Sequence, residues 1–241
     1  MGIKGTFAVA IIACVLFTTL FIVIRSKGAS AFSIIAKAFA SFCFIACFML
    51  SLSYVTDFND GYIGIALGLV LGLIGDVLLD GKVAYKESGN EYLQGGFVSF
   101  GVGHFFYIFA LLTFATTMYN VGSLLVPLLI TGGVAIVLTI ATYFMTKFVM
   151  KLDFGKNIII TFAYTFILYF VTVLAVVLSF YNIGFVSLAV GLVLFTLSDL
   201  VLSMQYFGDK GDSNVCQIIN HTLYYLGQIV IASTIFIQLL F

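Results

Sequence analysis

Two aspartates, Asp76 and Asp199, lie inside long apolar segments and in nearly the same local sequence. A single offset aligns GLVLGLIGDVLLD, which begins at Gly68, with GLVLFTLSDLVLS, which begins at Gly191. An ionisable side chain in hydrocarbon costs about 2.5 kcal/mol or more, so a repeated one indicates a functional site. Two neighbouring carboxyls suit acid and base chemistry, because repulsion between like charges keeps one of them protonated. The two aspartates are therefore our candidate catalytic residues.

Further polar side chains lie in the apolar segments around these aspartates. A His-x-x-Tyr motif begins the segment that follows each aspartate, and lysine, tyrosine, serine and glutamine occur in other segments. The residues predicted to bind a substrate or to tune the carboxyls are Lys37, His104, Tyr107, Tyr164, Ser198, His221, Tyr224 and Gln228. The alternative for each is a structural hydrogen bond or ion pair between helices. One lysine cannot neutralise the charge of two carboxylates, which favours a functional role for Lys37. For the histidines, a functional role and a structural role are equally supported.

Metal ligation by the two histidines and the two aspartates is another interpretation, since imidazoles and carboxylates together can bind zinc or iron. The chain has no HExxH motif and no third histidine, and its four cysteines have no metal-ligand spacing. We therefore expect neither a metal nor another cofactor. The sequence also lacks a Gly-x-Ser-x-Gly elbow, a Walker loop and a Gly-rich dinucleotide motif, so any chemistry would depend on carboxyl groups.

The composition places these residues in a membrane. Of the 241 residues, 63% are hydrophobic and only 8% are charged, whereas a soluble domain has about 25% charged residues. The formal net charge is zero and there is no basic run, so we expect no nucleic-acid partner. The first apolar stretch has no small-x-small cleavage site at its end and predicts a helix, not a removed leader. We expect a multi-pass integral protein, in the plasma membrane if the owner is a bacterium.

Eight apolar segments are long enough to span a bilayer, which takes about 20 residues per helix. The predicted helices cover residues 6–24, 31–54, 62–80, 96–117, 122–145, 157–180, 184–205 and 217–240. The connections between them are too short to hold a separate soluble domain. The sequence therefore predicts an all-α polytopic membrane protein, in which residues 1–241 form a single eight-helix bundle.

Lysine and arginine outside the predicted helices are concentrated on one side of the bundle. The loops after the first, third, fifth and seventh helices contain Arg25, Lys27, Lys82, Lys86, Lys147, Lys151, Lys156 and Lys210. The opposite side has only Lys4. Because cytoplasmic loops carry the excess of positive charge, both termini should be non-cytoplasmic. Two four-helix halves, about 1–117 and 122–241, would then form a parallel repeat that brings the two aspartates to one depth.

The predicted helices also place six polar residues in one layer. The layer comprises Lys37, Asp76, His104, Tyr164, Asp199 and His221. From the rise of the helix it lies about 6–12 Å inside the cytoplasmic boundary. Such a layer indicates a polar chamber that opens toward the cytoplasm, because each group needs a partner away from lipid.

The third predicted helix has a ridge of small residues, Gly64, Gly68 and Gly72, at four-residue spacing. Ridges of this kind allow membrane helices to approach closely. Asp76 continues the ridge one turn further along. We therefore expect Asp76 to face protein and not lipid.

Taken in order, these residues resemble the YhhN family of eight-helix membrane proteins, whose characterised members are lysoplasmalogenases. The resemblance is carried by Lys37, Gly75-Asp76, the stretch from Gly95 and Gly96-Phe97 to His104-x-x-Tyr107, Ser198-Asp199, and Tyr224 with Gln228. It extends from the second to the eighth helix, and the ordered set is more specific than any one motif. Ala38 follows Lys37, where the family commonly has proline.

The resemblance implies hydrolysis of the vinyl ether bond of a lysoplasmalogen, a lysophospholipid, to a fatty aldehyde and a glycerophospho-headgroup. Protonation of the β-carbon gives an oxocarbenium ion that water attacks, so a carboxylic acid and a carboxylate suit the reaction, as in glycosidases. Asp76 would be the acid and Asp199, near His221, the base or stabiliser, with the reverse assignment left open. Lys37 would bind the lipid phosphate or tune the pair.

Three other functions stay open from the sequence. A proton-coupled transporter or lipid permease would also place ionisable residues between repeats, but the polar layer is near one face, and no predicted helix is obviously broken. The sole proline, Pro127, lies away from that layer. A metal-dependent membrane amide or ester hydrolase of the ceramidase kind would use the histidines and aspartates as ligands. A non-catalytic scaffold would use the same residues for stability alone.

Overall fold

The structure, a computed structural model, describes residues 2–208 and 213–240. These residues form helices joined by short connections, and none of them lies in a β-strand. The helices are α1 (Ile3–Arg25), α2 (Ala31–Leu52), α3 (Gly61–Ala84), α4 (Gly89–Thr113), α5 (Leu125–Phe144), α6 (Ile158–Ser179), α7 (Val186–Phe207), α8 (Asn214–Ala232) and α9 (Thr234–Leu240). The predicted all-α class is confirmed. Lys210, which contributed to the predicted orientation, lies outside the described residues.

Within the described residues, α1 to α7 are each long and apolar enough to cross a membrane. The bent pair of α8 and α9 adds an eighth crossing if it counts as one span. Large apolar side chains are exposed on the outside of the bundle, as on α5 at Leu129, Val137 and Ile140. Such an apolar exterior is stable in lipid and not in water. The protein is therefore an integral multi-pass membrane protein.

The last predicted helix, 217–240, is divided in two, so the expectation that no helix is broken is wrong there. α8 and α9 meet at an angle of 53°. The Ser233 hydroxyl donates to the Ile229 carbonyl at 2.6 Å, and a serine bonded back to its own helix favours a bend. Beyond the bend, the Gln238 amide donates to Tyr119 Oη at 2.6 Å. The sequence does not reveal this distant partner.

α4 begins at Gly89, well before the predicted start at residue 96. The extra turns contain polar residues, which a hydropathy pattern assigns to a loop. They are helical because they have tertiary partners. Leu93 is buried, and Gln94 Nε2 donates to Asn157 Oδ1 at 3.0 Å. The remaining predicted boundaries differ from the observed ones by a few residues.

α3 packs closely on α4, and α7 packs closely on α8, through glycines. A Cβ atom at Gly64 would lie 2.6 Å from the Phe106 carbonyl oxygen, and one at Gly191 would lie 2.9 Å from the Gly227 carbonyl oxygen. The ridge of glycines on α3 and Asp76 are all buried, so the prediction that this ridge faces protein is confirmed. Both halves thus contain one tight helix pair that carries an aspartate, while the two-half repeat as a whole stays a prediction.

Candidate active site

Asp76 lies two thirds of the way along α3 and is 2% exposed. The Ser41 and Tyr224 hydroxyls donate to its Oδ2 at 2.6 and 2.7 Å. The Lys37 ammonium lies 3.4 Å from its Oδ1. A buried carboxylate is tolerated where a charged partner and additional hydrogen bonds satisfy both oxygens. Both conditions hold at Asp76, so its neighbours stabilise the ionised form.

Two of the predicted residues lie behind Tyr224 and hold it in place. Gln228 Nε2 donates to Tyr224 Oη at 3.1 Å. Tyr107 donates to Gln228 Oε1 at 3.4 Å. Because Tyr224 Oη accepts from the amide, its own proton is directed to Asp76. Tyr107 and Gln228 therefore act on the carboxyl through Tyr224.

Asp199, near the end of α7, has different neighbours. The Tyr164 hydroxyl donates to its Oδ2, and His104 Nε2 lies 3.4 Å from Tyr164 Oη. The Ser198 hydroxyl is 3.5 Å from Oδ1 but donates to the Phe195 carbonyl at 2.7 Å. In the described part of the chain, no lysine, arginine or histidine nitrogen lies within 4.0 Å of this carboxyl. Asp199 thus has neutral donors only, and its Oδ1 is available to carry a proton.

A void of about 20 Å³ lies between the two carboxyls. Its wall includes both aspartates together with Lys37, Asn220, His221 and Tyr224. A cavity holds one water if it offers about 10–15 Å³ and two to four polar partners. The void therefore has room for one water molecule between the carboxyls of Asp76 and Asp199.

A second cavity, of about 50 Å³, lies between α5, α6 and α7. Asp199 and Leu202 line both this cavity and the void. Most of the other lining side chains are aromatic or aliphatic, among them Leu168 and Tyr169 of α6. Such walls suit a hydrocarbon chain. Asp199 therefore lies at the boundary between a space for water and a space for an apolar group.

The predicted site residues, Ser198 apart, lie in one connected group around the two carboxyls. The Ser198 hydroxyl is turned toward its own helix, although the Ser198 carbonyl accepts from Asn220 Nδ2 at 2.7 Å. His221 lines the void, and its ring centroid lies 4.9 Å from that of Phe21. His221 and Asp199 line the same void, as their predicted proximity requires, but they do not form an ion pair.

Sequence reasoning missed three polar residues of this region. Ser41 lies one turn after Lys37 on α2, and residues four apart share a helix face. Tyr225 Oη is 3.0 Å from Ser41 Oγ and also donates to the Lys37 carbonyl at 3.3 Å. Asn220 anchors α8 to α7 beside Asp199. The four-residue spacing was a signal for Ser41, but nothing in the sequence indicated the other two.

A second buried ion pair was also missed. Arg25, which the sequence pattern places in a loop, is only 7% exposed, and its Nε lies 3.1 Å from Asp80 Oδ1. The Ser33 hydroxyl donates to Asp80 Oδ2 at 3.3 Å. Asp80 lies one turn after Asp76 on the same face of α3, which is the signal that could have identified it. This pair joins α1, α2 and α3 next to the site.

The proposed metal ligands do not come together as a ligand set. Among residues 2–208 and 213–240, no three side chains of His, Cys, Asp or Glu are grouped so that they could hold a metal ion. The two histidines instead contact aromatic rings, His104 that of Phe195 and His221 that of Phe21. The donor set therefore fits hydrogen bonding better than metal ligation.

The chain matches the model of a known protein family. The model of the YhhN family matches residues 32–235, which include α2 except its first residue, α3 to α8 and every residue of the candidate site. No curated protein and no solved structure matches the chain.

Proposed function

The chain belongs to the YhhN family, and from that premise we propose that it is a lysoplasmalogenase-like membrane hydrolase. Its substrate would be a lysophospholipid with a vinyl ether bond, and its products a fatty aldehyde and a glycerophospho-headgroup. The observation that carries the proposal is a water-sized void between two buried carboxyls with unlike neighbours. That arrangement is what acid-catalysed addition of water to a vinyl ether requires.

The neighbours of the two carboxyls favour Asp199 as the acid and Asp76 as the base, the reverse of the assignment first expected from the sequence. Asp199 accepts from a neutral tyrosine and keeps one oxygen for a proton. Asp76 is balanced by the Lys37 ammonium. Pairs of carboxyls acquire different roles when their surroundings stabilise different protonation states.

The reaction proceeds in balanced steps. Asp199 gives its proton to the β-carbon of the vinyl ether, and the α-carbon becomes an oxocarbenium ion. Asp76 takes a proton from the water in the void as the water oxygen bonds to the α-carbon, which gives a hemiacetal. The hemiacetal loses its hydroxyl proton to the Asp199 carboxylate, and the C–O bond to glycerol breaks as Asp76 returns its proton to the leaving oxygen. The chain leaves as an aldehyde, and both carboxyls regain their first states.

Lys37 supports this reaction as the countercharge of Asp76. Its side chain is buried and lines a void that has room for a water and not for a phosphate. We therefore favour tuning of the carboxyl over phosphate binding, the two roles that the sequence left open. The reaction needs no cofactor or metal.

The membrane arrangement belongs to the same proposal. Both termini would be non-cytoplasmic, and the halves 1–117 and 122–241 would be related as a parallel repeat. The headgroup would then enter from the cytoplasm, and the apolar chain would lie in the cavity between α5, α6 and α7. In a bacterium the protein would lie in the plasma membrane.

The test is incubation of purified protein in detergent with a lysoplasmalogen and, in parallel, with an ester lysophospholipid. We expect fatty aldehyde from the first lipid and no free fatty acid from the second, because the proposed reaction begins with protonation of a carbon–carbon double bond that an ester does not have. Turnover should have an acidic and a basic limb between about pH 4 and pH 9. Absence of aldehyde from well-folded protein would overturn the proposal.

A transporter or lipid permease is the main alternative. The bend between α8 and α9 resembles the broken helices of transporters. However, Ser233 lies nine residues after Tyr224, the residue of α8 that contacts Asp76, and thus about 14 Å from that contact along the helix axis. Lipid flux into vesicles without aldehyde release would favour this alternative.

A further inference from the structure

A third and larger cavity, of about 470 Å³, lies where the ends of α3 and α7 meet the start of α4 and the segment before α6. The polar side chains of its wall are Lys82, Asn90, Asp153, Lys156 and Asn157. The proposed reaction uses none of them. The cavity is on the same end of the bundle as the two aspartates, because α3 and α7 both run from those aspartates toward it.

The cavity wall offers two ammonium groups and one carboxylate. The Lys82 ammonium lies 3.8 Å from the centre of the Tyr206 ring, and Lys156 is exposed. In the described part of the chain, no carboxylate lies within 4.0 Å of either ammonium. Asp153 Oδ1 accepts from the Gly155 backbone, which fixes this carboxylate at the rim. The two lysines therefore have their charge available to an anion.

This cavity adjoins the one that reaches Asp199. Phe154, Tyr206 and Phe207 line both. Tyr206 is held against α3 because its hydroxyl donates to the Leu79 carbonyl at 3.2 Å. The Tyr206 and Phe207 rings therefore stand between the lysines and the Asp199 carboxyl, and a molecule that reaches both must pass these rings.

The distance along the helices fits a glycerol lysolipid. Lys82 follows Asp76 by six residues, and Tyr206 follows Asp199 by seven, so the cavity lies about 9–11 Å from the carboxyls along the helix axes. In a glycerol ether lipid, seven bonds separate the β-carbon of the vinyl ether from the phosphorus, a reach of about 8 Å when extended. A lipid with its vinyl ether at Asp199 would place its phosphate near the lysines.

We propose that this cavity binds the phosphate of the lysolipid headgroup through Lys82 and Lys156. The inference rests on the proposed function for the position of the reacting bond. Asp153 lies where it can meet the amine of a zwitterionic headgroup, so the cavity selects ethanolamine- or choline-type phospholipids over neutral glycerol ethers. Lysine is a common phosphate ligand because its ammonium presents a compact charge with three donors.

The test measures binding and turnover separately. Binding uses a saturated 1-alkyl lysophospholipid, which cannot be hydrolysed, and the matching 1-alkylglycerol, which lacks the phosphate. We expect Lys82→Met and Lys156→Gln each to weaken phospholipid binding by about tenfold or more, with no change for the alkylglycerol. Lys151→Gln, in the same loop but outside the cavity wall, serves as the matched control and should bind both as the wild type does.

Failure of this inference is distinguishable from failure of the proposed function. Unchanged phospholipid binding in both lysine variants, or equal loss for both ligands, would overturn the headgroup site even if aldehyde is released. If no aldehyde is released but the lysine variants lose phospholipid binding selectively, the headgroup site stands and the hydrolase does not. The Lys156→Gln protein should fold as the wild type does, because Lys156 is exposed and makes no ion pair within the part of the chain that the structure describes. A loss of binding in this variant therefore cannot be attributed to misfolding.

Discussion

The partners of the two carboxyls, and not the carboxyls themselves, distinguish their roles. The Asp76 carboxyl contacts the ammonium of a lysine and two hydroxyls. The Asp199 carboxyl accepts from a tyrosine hydroxyl, and among residues 2–208 and 213–240 it makes no ion pair. Removal of one partner from a buried ion pair is costly because it leaves an uncompensated charge. Each partner can therefore be tested by a substitution that keeps its shape.

Lys37→Met should destabilise the protein by about 3–5 kcal/mol, since the Asp76 carboxylate then loses its countercharge. Turnover should fall as well, because an uncompensated Asp76 takes up a proton and no longer accepts one from water. Thermal unfolding in detergent and aldehyde release measure the two effects.

The double variant Lys37→Met/Asp76→Asn is the control for this substitution. It removes both charges, so stability should recover in part while turnover stays lost. A Lys37→Met protein with the stability and turnover of the wild type would show that the ammonium does not balance Asp76.

Tyr164→Phe should lower turnover by about tenfold or more, because Asp199 loses the hydroxyl that orients its protonated form. Affinity for the lipid should change little, since the ring remains. Tyr169→Phe is the matched control. Tyr169 lies on the same helix and cavity wall, but its hydroxyl is hydrogen-bonded to Thr142 and not to a carboxyl. Equal effects of the two substitutions would contradict a specific role for Tyr164.

Helix existence was predictable here because apolar stretches of spanning length are a strong signal. The start of α4 and the bend after α8 were not predictable, since each depends on partners from distant segments. Gln94 bonds to Asn157, and Gln238 bonds to Tyr119. In the candidate site, polar residues within the apolar segments were found, whereas the Arg25–Asp80 pair was not, because the hydropathy pattern places Arg25 in a loop.

The close contact of α3 with α4 should make stability sensitive to the size of the residue at position 64. Gly64→Ala places a Cβ atom 2.6 Å from the backbone oxygen of Phe106, which cannot turn aside as a side chain would. The helices must then separate, and we expect a loss of about 1–3 kcal/mol in stability. Thermal unfolding in detergent measures the loss.

Gly133→Ala on α5 is the matched control, because a Cβ atom there meets nothing within 4 Å. It should be neutral or slightly stabilising, since alanine favours a helix over glycine. If the two alanine variants unfold at the same temperature, the close α3–α4 contact does not contribute to stability.

At the scale of the whole molecule, the orientation in the membrane decides from which side the lipid headgroup enters. Single cysteines at Lys27 and at Ser123, in a background without the native cysteines, would lie in loops at opposite ends of the bundle. We expect a membrane-impermeant thiol reagent added to intact cells to label Ser123→Cys and not Lys27→Cys. After lysis both should react. The reverse pattern would place the termini, and the opening of the site, on the other side.

The most direct test of the central claim, hydrolysis by two carboxyls around one water, is aldehyde release by Asp76→Asn and Asp199→Asn. Each amide keeps the shape of the side chain but removes proton transfer, so turnover of lysoplasmalogen should fall by about a hundredfold or more in each. Asp57→Asn, an exposed residue near the other end of the bundle, is the control and should be fully active. Loss in both site variants, with folding retained, is the result we predict. Aldehyde release at the wild-type rate in either one would contradict the account.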